Sequence, residues 1–91
     1  MRLRWTNPAA QGLYDITQYI GNDNARAGRE TAKLIYDECQ SLVRFPHRGR
    51  NGSEPGTREL VFLPLPYIPV YRVFESTVEI LGIHHGARQL R

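Results

Sequence analysis

Residues 67–85, YIPVYRVFESTVEILGIHH, decide the fold because they contain two strand patterns joined by a tight turn. Tyr67–Phe74 is rich in β-branched and aromatic side chains and predicts a strand. Pro69 within it has no N–H and must lie at a bulge or an unpaired position. Residues 75–76 form the predicted turn. Thr77–His85 carries apolar residues on both faces, which predicts a central strand of the sheet.

An amphipathic helix is predicted near the start of the chain. Arg2–Trp5 first alternates polar and apolar residues, as a short strand does. Asn7 then predicts a helix cap, with Pro8 at the first helical position. The apolar stripe of this helix has spacings of three and four residues and consists of Leu13, Ile16 and Ile20. We expect the helix to end at residues 21–22, Gly-Asn.

A second helix follows, with Asp23 or Asn24 as its cap. Its apolar stripe has spacings of four, three, four and three residues and consists of Gly28, Ala32, Ile35, Cys39 and Leu42. Pro46 ends this helix, because the residue before a proline avoids helical geometry. Since glycine weakens a helix, Gly28 indicates that the two helices approach closely there, as an antiparallel hairpin.

The period of the apolar residues changes to two after the helices. Residues 47–56 are rich in glycine and polar turn residues and predict a loop. Residues 57–63 alternate, with Leu60 and Phe62 on one face, and predict a strand. The order of elements is therefore β-α-α-β-β-β. We predict a single α+β domain over residues 1–91, in which a small, mainly antiparallel four-stranded sheet carries an α-helical hairpin on one face.

The composition indicates a globular chain with an anionic partner. The 91 residues are 41% hydrophobic and 23% charged, which suits one folded domain. The formal net charge is +3, and Lys33 is the only lysine. Arginine holds phosphates and carboxylates with paired hydrogen bonds, so the partner is either nucleic acid or an acidic protein, and charge alone does not distinguish them.

Other features exclude several classes of protein. Cys39, the single cysteine, cannot form a disulfide framework, and its place on a helix stripe predicts a buried hydrophobe. The N-terminus lacks the apolar segment of a signal peptide, and no apolar run approaches the length of a membrane helix, so we expect a cytoplasmic protein. His47, His84 and His85 lack the spacing of a zinc site, and no phosphate- or dinucleotide-binding motif is present, so we expect no metal and no cofactor.

Four short runs of residues carry a family resemblance. They are Arg48-Gly49-Arg50, shortly after a helix that ends in a Phe-Pro pair; residues 56–60, GTREL; residues 66–73, PYIPVYRV; and residues 78–88, VEILGIHHGAR. The last two are similar to the patterns PY-x-x-x-Y-R-V and V-x-I-L-x-x-x-H-G-x-R. In this order and at this length, the chain resembles the RelE/ParE toxin superfamily.

The resemblance implies the toxin half of a type II toxin–antitoxin pair. Such a toxin is held inactive by a cognate antitoxin protein in a hetero-oligomer. Two target classes are known in the superfamily: RelE-like members cut mRNA in the ribosomal A site, and ParE-like members poison DNA gyrase. The fold does not decide between these targets, because function depends on the site.

Three residues are candidates for catalysis if the chain is a ribonuclease. Such an enzyme, acting without a metal, needs a base, an acid and a cation for the phosphorane. The resemblance points to His85 as the acid or base and to Arg88 and Arg72 as the cations. Arg72 has an alternative role, which is an ion pair with Glu79 or Glu59 across the sheet.

The chain departs from RelE-like enzymes in ways that favour gyrase as the target. Their lysine cluster is replaced by residues 58–62, RELVF, and Ile68 stands where they carry an arginine. Glu59 would also repel a phosphate backbone. Only one of His84 and His85 can face a site, because successive strand residues point to opposite faces. We expect a ParE-like inhibitor of DNA gyrase; the alternatives are a ribosome-dependent mRNA endonuclease and an inactive antitoxin-binding protein.

A further group of residues is suited to binding the target or the antitoxin, namely Arg48, Arg50, Arg58, Tyr71, Arg88 and Arg91. The loop arginines can hold a phosphate or an acidic antitoxin residue, or only keep the loop soluble. Tyr71 beside Arg72 is suited to stacking on a base, whereas Arg88 and Arg91 can equally form a simple basic tail. A docking strip for the partner, part of which can be core, is predicted at Phe62, Leu63, Leu65 and Ile68.

Overall fold

The computed structural model describes residues 1–86, which form two helices and one five-stranded sheet. The elements in chain order are β1 (Arg2–Trp5), α1 (Asn7–Gly21), α2 (Ala25–Gln40), a 3-10 turn (Ser41–Val43), β2 (Arg50–Asn51), β3 (Arg58–Glu59), β4 (Tyr67–Phe74) and β5 (Thr77–His85). The strand order is β1-β5-β4-β3-β2. β1 pairs with β5 in parallel, and the other neighbours are antiparallel. The predicted α+β class is confirmed.

The sheet has five strands rather than the predicted four, because the loop after the helices contributes β2. Arg50 lies opposite Glu59, and Asn51 lies opposite Arg58. An ion pair of 2.9 Å joins the Arg50 guanidinium to the Glu59 carboxylate and fixes this short pairing. Turn-forming residues dominate the loop, and a two-residue strand leaves no alternating pattern among them, so the sequence predicted no strand here.

The predicted strand at residues 57–63 is wrong in length, since only Arg58–Glu59 pairs as a strand. The Leu60 N–H still donates to the Pro69 carbonyl at 2.9 Å, so the carbonyl of Pro69 faces this segment. The carbonyl and N–H of one strand residue point to the same side, and Pro69 has no N–H to continue the ladder. Pairing therefore stops beyond Leu60. Pro69 itself accepts this one bond and lies in register with Ile83 of β5, so it is not the unpaired residue that was one of its two predicted positions.

Side-chain caps start both helices. The Thr6 hydroxyl, and not Asn7 as predicted, caps α1 by accepting a hydrogen bond of 3.4 Å from the Ala9 N–H. The side-chain oxygen of Asn24 caps α2 by accepting a bond of 3.1 Å from the Ala27 N–H. Thr6 can cap the helix because its backbone is still extended, with ψ of 162°.

The end of α2 differs from its prediction. The helix ends at Gln40, and the 3-10 turn Ser41–Val43 carries the chain onward before Pro46 is reached. Leu42 is fully buried in that turn, so the apolar stripe continues although the helix does not. Neither helix within residues 1–86 combines the length and the apolar character needed to cross a bilayer.

α1 and α2 approach closely at Gly28, as the sequence predicted. A Cβ atom added at Gly28 would lie 2.5 Å from the carbonyl oxygen of Thr17 in α1. No real Cβ atom occupies such a distance from a backbone oxygen. The absence of a side chain at Gly28 therefore sets the spacing of the helical hairpin.

The core lies between the helical hairpin and one face of the sheet. Its buried members are Ala9, Ile16, Ile35, Cys39, Leu42, Leu60, Tyr71, Val78 and Ile80. Part of the predicted docking strip is not available to a partner, because Phe62 and Leu65 pack against this core and Ile68, on the other face of β4, is only 7% exposed. Leu63, at 88% exposure, is the member of the strip that is clearly available to a partner.

β5 lies between β1 and β4, as its apolar pattern predicted, and it contains a bulge. Leu81 has no opposite residue in β4, since the register shifts by one at this point. The extra residue changes which side chains face the helices. Val78 and Ile80 face them before the bulge. Beyond it Ile83 does so, with its Cβ 3.7 Å from the Cβ position of Gly12 in α1.

Candidate functional site

The two faces of the sheet differ in chemistry. The helix face packs against α1 and α2 and is apolar. The opposite face, termed the outer face, carries Arg2 and Arg4 of β1, Glu79 of β5, and Arg72 and Phe74 of β4. The arginines and Phe74 are exposed there. Around Glu79 the outer face is therefore polar, and Phe74 is exposed beside it at the β4–β5 turn.

Glu79 is the centre of an ion-pair row across three strands. Its carboxylate accepts hydrogen bonds from Arg4 on one side and from Arg72 on the other. The hydrogen bond from Arg72, with the charges of both arginines, lowers the pKa of Glu79 below its ordinary value. Arg72 also lies over the Phe74 ring, 5.3 Å from its centroid. Arg72 thus forms the cross-strand ion pair that was its alternative role.

The structure does not bring His85 and Arg72 together. His85 lies opposite Tyr67 on the helix face, with the two ring centroids 5.3 Å apart and edge-on. Tyr67 and Arg72 are five positions apart on β4, which is about 17 Å along a strand, and they point to opposite faces. Two of the three predicted ribonuclease residues, His85 and Arg72, are therefore not brought together.

His84 lies opposite Ile68, so the two neighbouring histidines point to opposite faces, as predicted. Arg88 and Arg91 lie outside the described residues. The Nδ1 atom of His85 is buried and has no hydrogen-bond partner within residues 1–86. In the same part of the chain, no three His, Cys, Asp or Glu side chains come together as metal ligands.

Two loop arginines are neutralised by carboxylates of the chain itself. Arg48 contacts Glu38 of α2 at 2.6 Å and donates to the Ser41 hydroxyl at 2.7 Å. Arg50 pairs with Glu59, as described above. Both guanidinium groups therefore hold the loop against the rest of the fold, and an anionic partner would have to compete with an internal carboxylate.

Arg58 differs from these two arginines because it has no carboxylate partner within residues 1–86. Its guanidinium donates to the carbonyl oxygens of Gly49, at 2.8 Å, and His47, at 3.3 Å. It is half-buried and lines an open cavity of about 530 Å³, together with Asn51 and Thr57. Of these three arginines, Arg58 is the one without an ion pair among residues 1–86, and Glu54 lines the same cavity.

Tyr71 is a core residue, which corrects its prediction as a stacking platform. Its side chain is 0% exposed. Its hydroxyl donates to the Pro46 carbonyl at 2.8 Å and accepts from the Gly49 N–H at 2.9 Å. Burial raises the pKa of Tyr71 above its ordinary value. A nucleic-acid base cannot stack on a ring that is enclosed in this way.

An aromatic groove on the helical hairpin was not predicted. It encloses about 340 Å³ and is lined by Trp5, Ala10, Leu13, Tyr14, Thr17, Ala32 and Tyr36. Trp5 stacks on Tyr36, with centroids 5.8 Å apart and planes inclined by 7°. The indole Nε1 of Trp5 is buried without a hydrogen-bond partner among the described residues. The sequence signal was available, because Tyr14 and Tyr36 lie at the edges of the helix stripes.

Comparison with known families gives a match over nearly the whole chain. The model of the ParE toxin of the type II toxin–antitoxin system parDE matches residues 3–90. The protein Y4kP of Sinorhizobium fredii is 38% identical over 88 residues, which is 97% of this chain and 91% of that protein. Toxin RelE2 of Caulobacter vibrioides is 37% identical over 84 residues, covering 92% of this chain and 93% of that protein.

A solved structure has the same fold. It is a chain of the chromosomal ParDE toxin–antitoxin system from P. aeruginosa, with a TM-score of 0.82 and 27% sequence identity. The alignment covers 93% of this chain and 95% of that chain. The similarity therefore extends over the helical hairpin and the sheet together.

Proposed function

Because the chain belongs to the ParE toxin family of type II toxin–antitoxin systems, we propose that this toxin acts by binding to DNA gyrase and inhibiting it. A cognate antitoxin holds it inactive in a hetero-oligomer, in keeping with the ParDE system to which its fold is similar. Action on gyrase requires that the protein works in the cytoplasm. In this proposal the toxin supplies a binding surface and no bond-breaking chemistry of its own.

The observation that carries the proposal is the separation of His85 from Arg72. A metal-free ribonuclease needs its proton-transfer group and its phosphate-binding cation around one phosphate, within hydrogen-bond reach. Of the three candidates, Arg88 lies outside the described residues, and the other two, His85 and Arg72, lie on opposite faces of the sheet and about 17 Å apart along a strand. Neither can assist the other at a single scissile bond.

The charge on the sheet supports a protein target over an RNA backbone. Arg4 and Arg72 share Glu79, and Arg50 pairs with Glu59. Affinity for a phosphate backbone comes largely from arginine and lysine side chains, which neutralise phosphates and release the small counterions bound there. An arginine already paired with an internal carboxylate contributes less to that exchange. The surface is better suited to a protein with which it can form specific pairs.

The test uses the purified toxin in two assays side by side. In the first, gyrase supercoils a relaxed plasmid, and the toxin is expected to inhibit supercoiling or to trap gyrase–DNA complexes. In the second, translating ribosomes carry a defined mRNA, which is expected to remain intact. His85→Ala, with His47→Ala in the exposed loop as its matched control, should inhibit gyrase like the unchanged toxin.

Each alternative function has its own signature in these assays. Codon-positioned mRNA cleavage that disappears with His85→Ala but not with His47→Ala would make the chain a ribonuclease and contradict the proposal. Inactivity in both assays, with normal growth of cells that express the toxin alone, would identify an antitoxin-binding protein without toxicity. Inhibition of gyrase by all three proteins would leave His85 with a structural role.

A further inference from the structure

The loop between β2 and β3 forms one wall of a cavity of about 530 Å³. This volume is within the range of cavities that hold small molecules in proteins. Hydrogen bonds within the loop fix its shape. The Gly52 N–H donates to the Thr57 carbonyl at 2.8 Å, and the N–H and hydroxyl of Thr57 both donate to the Glu54 carbonyl, at 3.1 and 2.6 Å. The cavity is therefore a feature of the folded loop.

Arg58 lines this cavity with a guanidinium group that is only partly used. Its Nη1 donates to the carbonyls of Gly49 and His47, at 2.8 and 3.3 Å, and these bonds hold the group in place. Its Nε and Nη2 have no acceptor in the described part of the chain. These two nitrogens form the edge of the planar group that matches two oxygens of one carboxylate or phosphate. Arg58 is therefore preorganised to bind an oxyanion.

The same cavity contains a carboxylate without an ion pair. Glu54 lines it, and within residues 1–86 the Glu54 side chain has neither a hydrogen-bond donor nor a cation as partner. Arg58 and Glu54 thus bring opposite charges to one cavity without forming an ion pair with each other. A ligand with negative charge alone would bind Arg58 but would be repelled by Glu54. A ligand with a carboxylate at one end and an ammonium group at the other would satisfy both residues.

The other walls of the cavity suit the carbon skeleton of such a ligand. Val73 and Pro55 are apolar, and the side-chain amide of Asn51 can donate or accept a hydrogen bond. A bare ion would fill only a small part of the 530 Å³. Mostly apolar walls with a few charged groups that fix the orientation are typical of small-molecule sites.

We propose that this cavity binds a small amino acid as a zwitterion, with its carboxylate on the Nε–Nη2 edge of Arg58 and its ammonium group on Glu54. The proposal goes beyond the inhibition of gyrase, since neither gyrase nor the antitoxin takes part in it. The bound ligand joins the tip of the loop to β3. An inorganic phosphate or a nucleotide would use Arg58 only, and its binding is one outcome of the test.

The experiment is an NMR titration of the isotope-labelled toxin. The probes are glycine, leucine, valine and γ-aminobutyrate, and the controls are acetate, ethylamine and inorganic phosphate, each of which carries only one kind of charge. At least one amino acid should shift the Arg58 Nε–H and the backbone amides of Gly52 and Gly56, with a dissociation constant in the millimolar range that suits so few atoms. Each control should bind about tenfold more weakly or less, because it leaves Glu54 or Arg58 unpaired.

Variants test the two ends of the site separately. Glu54→Gln should weaken binding of the amino acid about tenfold and leave binding of acetate unchanged or stronger. Asp23→Asn removes the same charge from the turn between the helices, and as the matched control it should change neither. Arg58→Lys keeps the charge but loses the paired donors, so it should weaken acetate and the amino acid alike. Because Arg58 also bonds to the loop, Glu54→Gln is the deciding variant.

Three results would overturn the proposal. Absence of any shift at the loop with all four amino acids would show that the cavity does not bind this class of ligand. Acetate or phosphate that binds as tightly as the best amino acid would make the cavity a simple anion site. Undiminished binding of the amino acid by Glu54→Gln would show that the ammonium group is not held by this carboxylate.

Discussion

The hydroxyl of Tyr71 donates a hydrogen bond of 2.8 Å to the carbonyl of Pro46, and so joins the centre of the sheet to the loop that follows the helices. The same hydroxyl accepts from the Gly49 N–H at 2.9 Å. Tyr71 is fully buried, so water cannot readily replace either bond. The segment that carries Arg48 and Arg50 is therefore held by this buried phenol as well as by the ion pairs of the two arginines.

Removing this hydroxyl should destabilise the fold. We expect Tyr71→Phe to lower the free energy of unfolding by about 1–3 kcal/mol, because the Gly49 N–H and the Pro46 carbonyl lose a buried partner. Urea unfolding measures the change, and exchange of the Gly49 amide should become faster. Tyr19→Phe, at a side chain that is 76% exposed, is the control and should have little effect. Equal stability of the two variants would contradict this role of Tyr71.

The helical hairpin should not tolerate a methyl group at its crossing point. Alanine is the better helix former by about 1 kcal/mol, but a Cβ at Gly28 would lie 2.5 Å from the Thr17 carbonyl oxygen. We expect Gly28→Ala to destabilise the protein by about 1–3 kcal/mol through overpacking. Gly21→Ala, where a Cβ meets no atom within 4 Å, should be neutral or stabilising in the same thermal unfolding assay. A Gly28→Ala protein as stable as the parent would refute the close approach.

The outer-face ion pairs predict an acid-dependent loss of stability. The hydrogen bond from Arg72 lowers the pKa of Glu79 below its ordinary value of 4.5, so the folded state binds this proton less tightly than the unfolded state. The resulting stabilisation is present above pH 4.5 and is lost as the pH falls through the lowered pKa. Glu79→Gln should remove this part of the acid profile in urea unfolding. Glu54→Gln in the loop should leave it unchanged, and a profile insensitive to Glu79→Gln would contradict the prediction.

Cys39 predicts an alkaline loss of stability. Burial raises the pKa of its thiol from 9.0 to about 12, so the folded state keeps this proton more tightly than the unfolded state. Stability is unaffected by the thiol below pH 9.0 and is lost as the pH rises toward about 12. Urea midpoints of the parent should therefore fall more steeply with alkaline pH than those of Cys39→Ala. Parallel curves for the two proteins would show that the thiol is accessible in the folded state.

The sequence predicted an element well where the residues that determine it are close to one another in the chain. The Asn24 cap, the close approach at Gly28 and the central strand Thr77–His85 all depend on neighbouring residues. The short pairing of β2 with β3 was missed because it joins residues on either side of a turn-rich loop. β3 was predicted too long because the apolar alternation of residues 57–63 continues beyond Leu60. The pairing with β4 stops at Leu60, opposite Pro69.

The candidate site was harder to predict, because it depends on one inserted residue. In a regular strand Glu79 and His85 are both odd-numbered and would share a face, which would place His85 on the same side as Arg72. The bulge at Leu81 moves His85 to the helix face instead. A bulge has no clear signature in a single apolar run. The burial of Tyr71 was likewise set by helices that lie far away in the sequence.

The parallel pairing of β1 with β5 has a consequence for biosynthesis. Arg4 and Glu79 are neighbours in the sheet but are 75 positions apart in the chain. A ribosome therefore releases β1 long before its sheet neighbour has been made, and contacts of such high sequence separation form late and slowly. A product that stops before Thr77 has the helical hairpin but lacks the strand that joins β1 to β4. The pairing of β1 and the ion-pair row of the outer face, which both need β5, can therefore form only after residues 77–85 have been made.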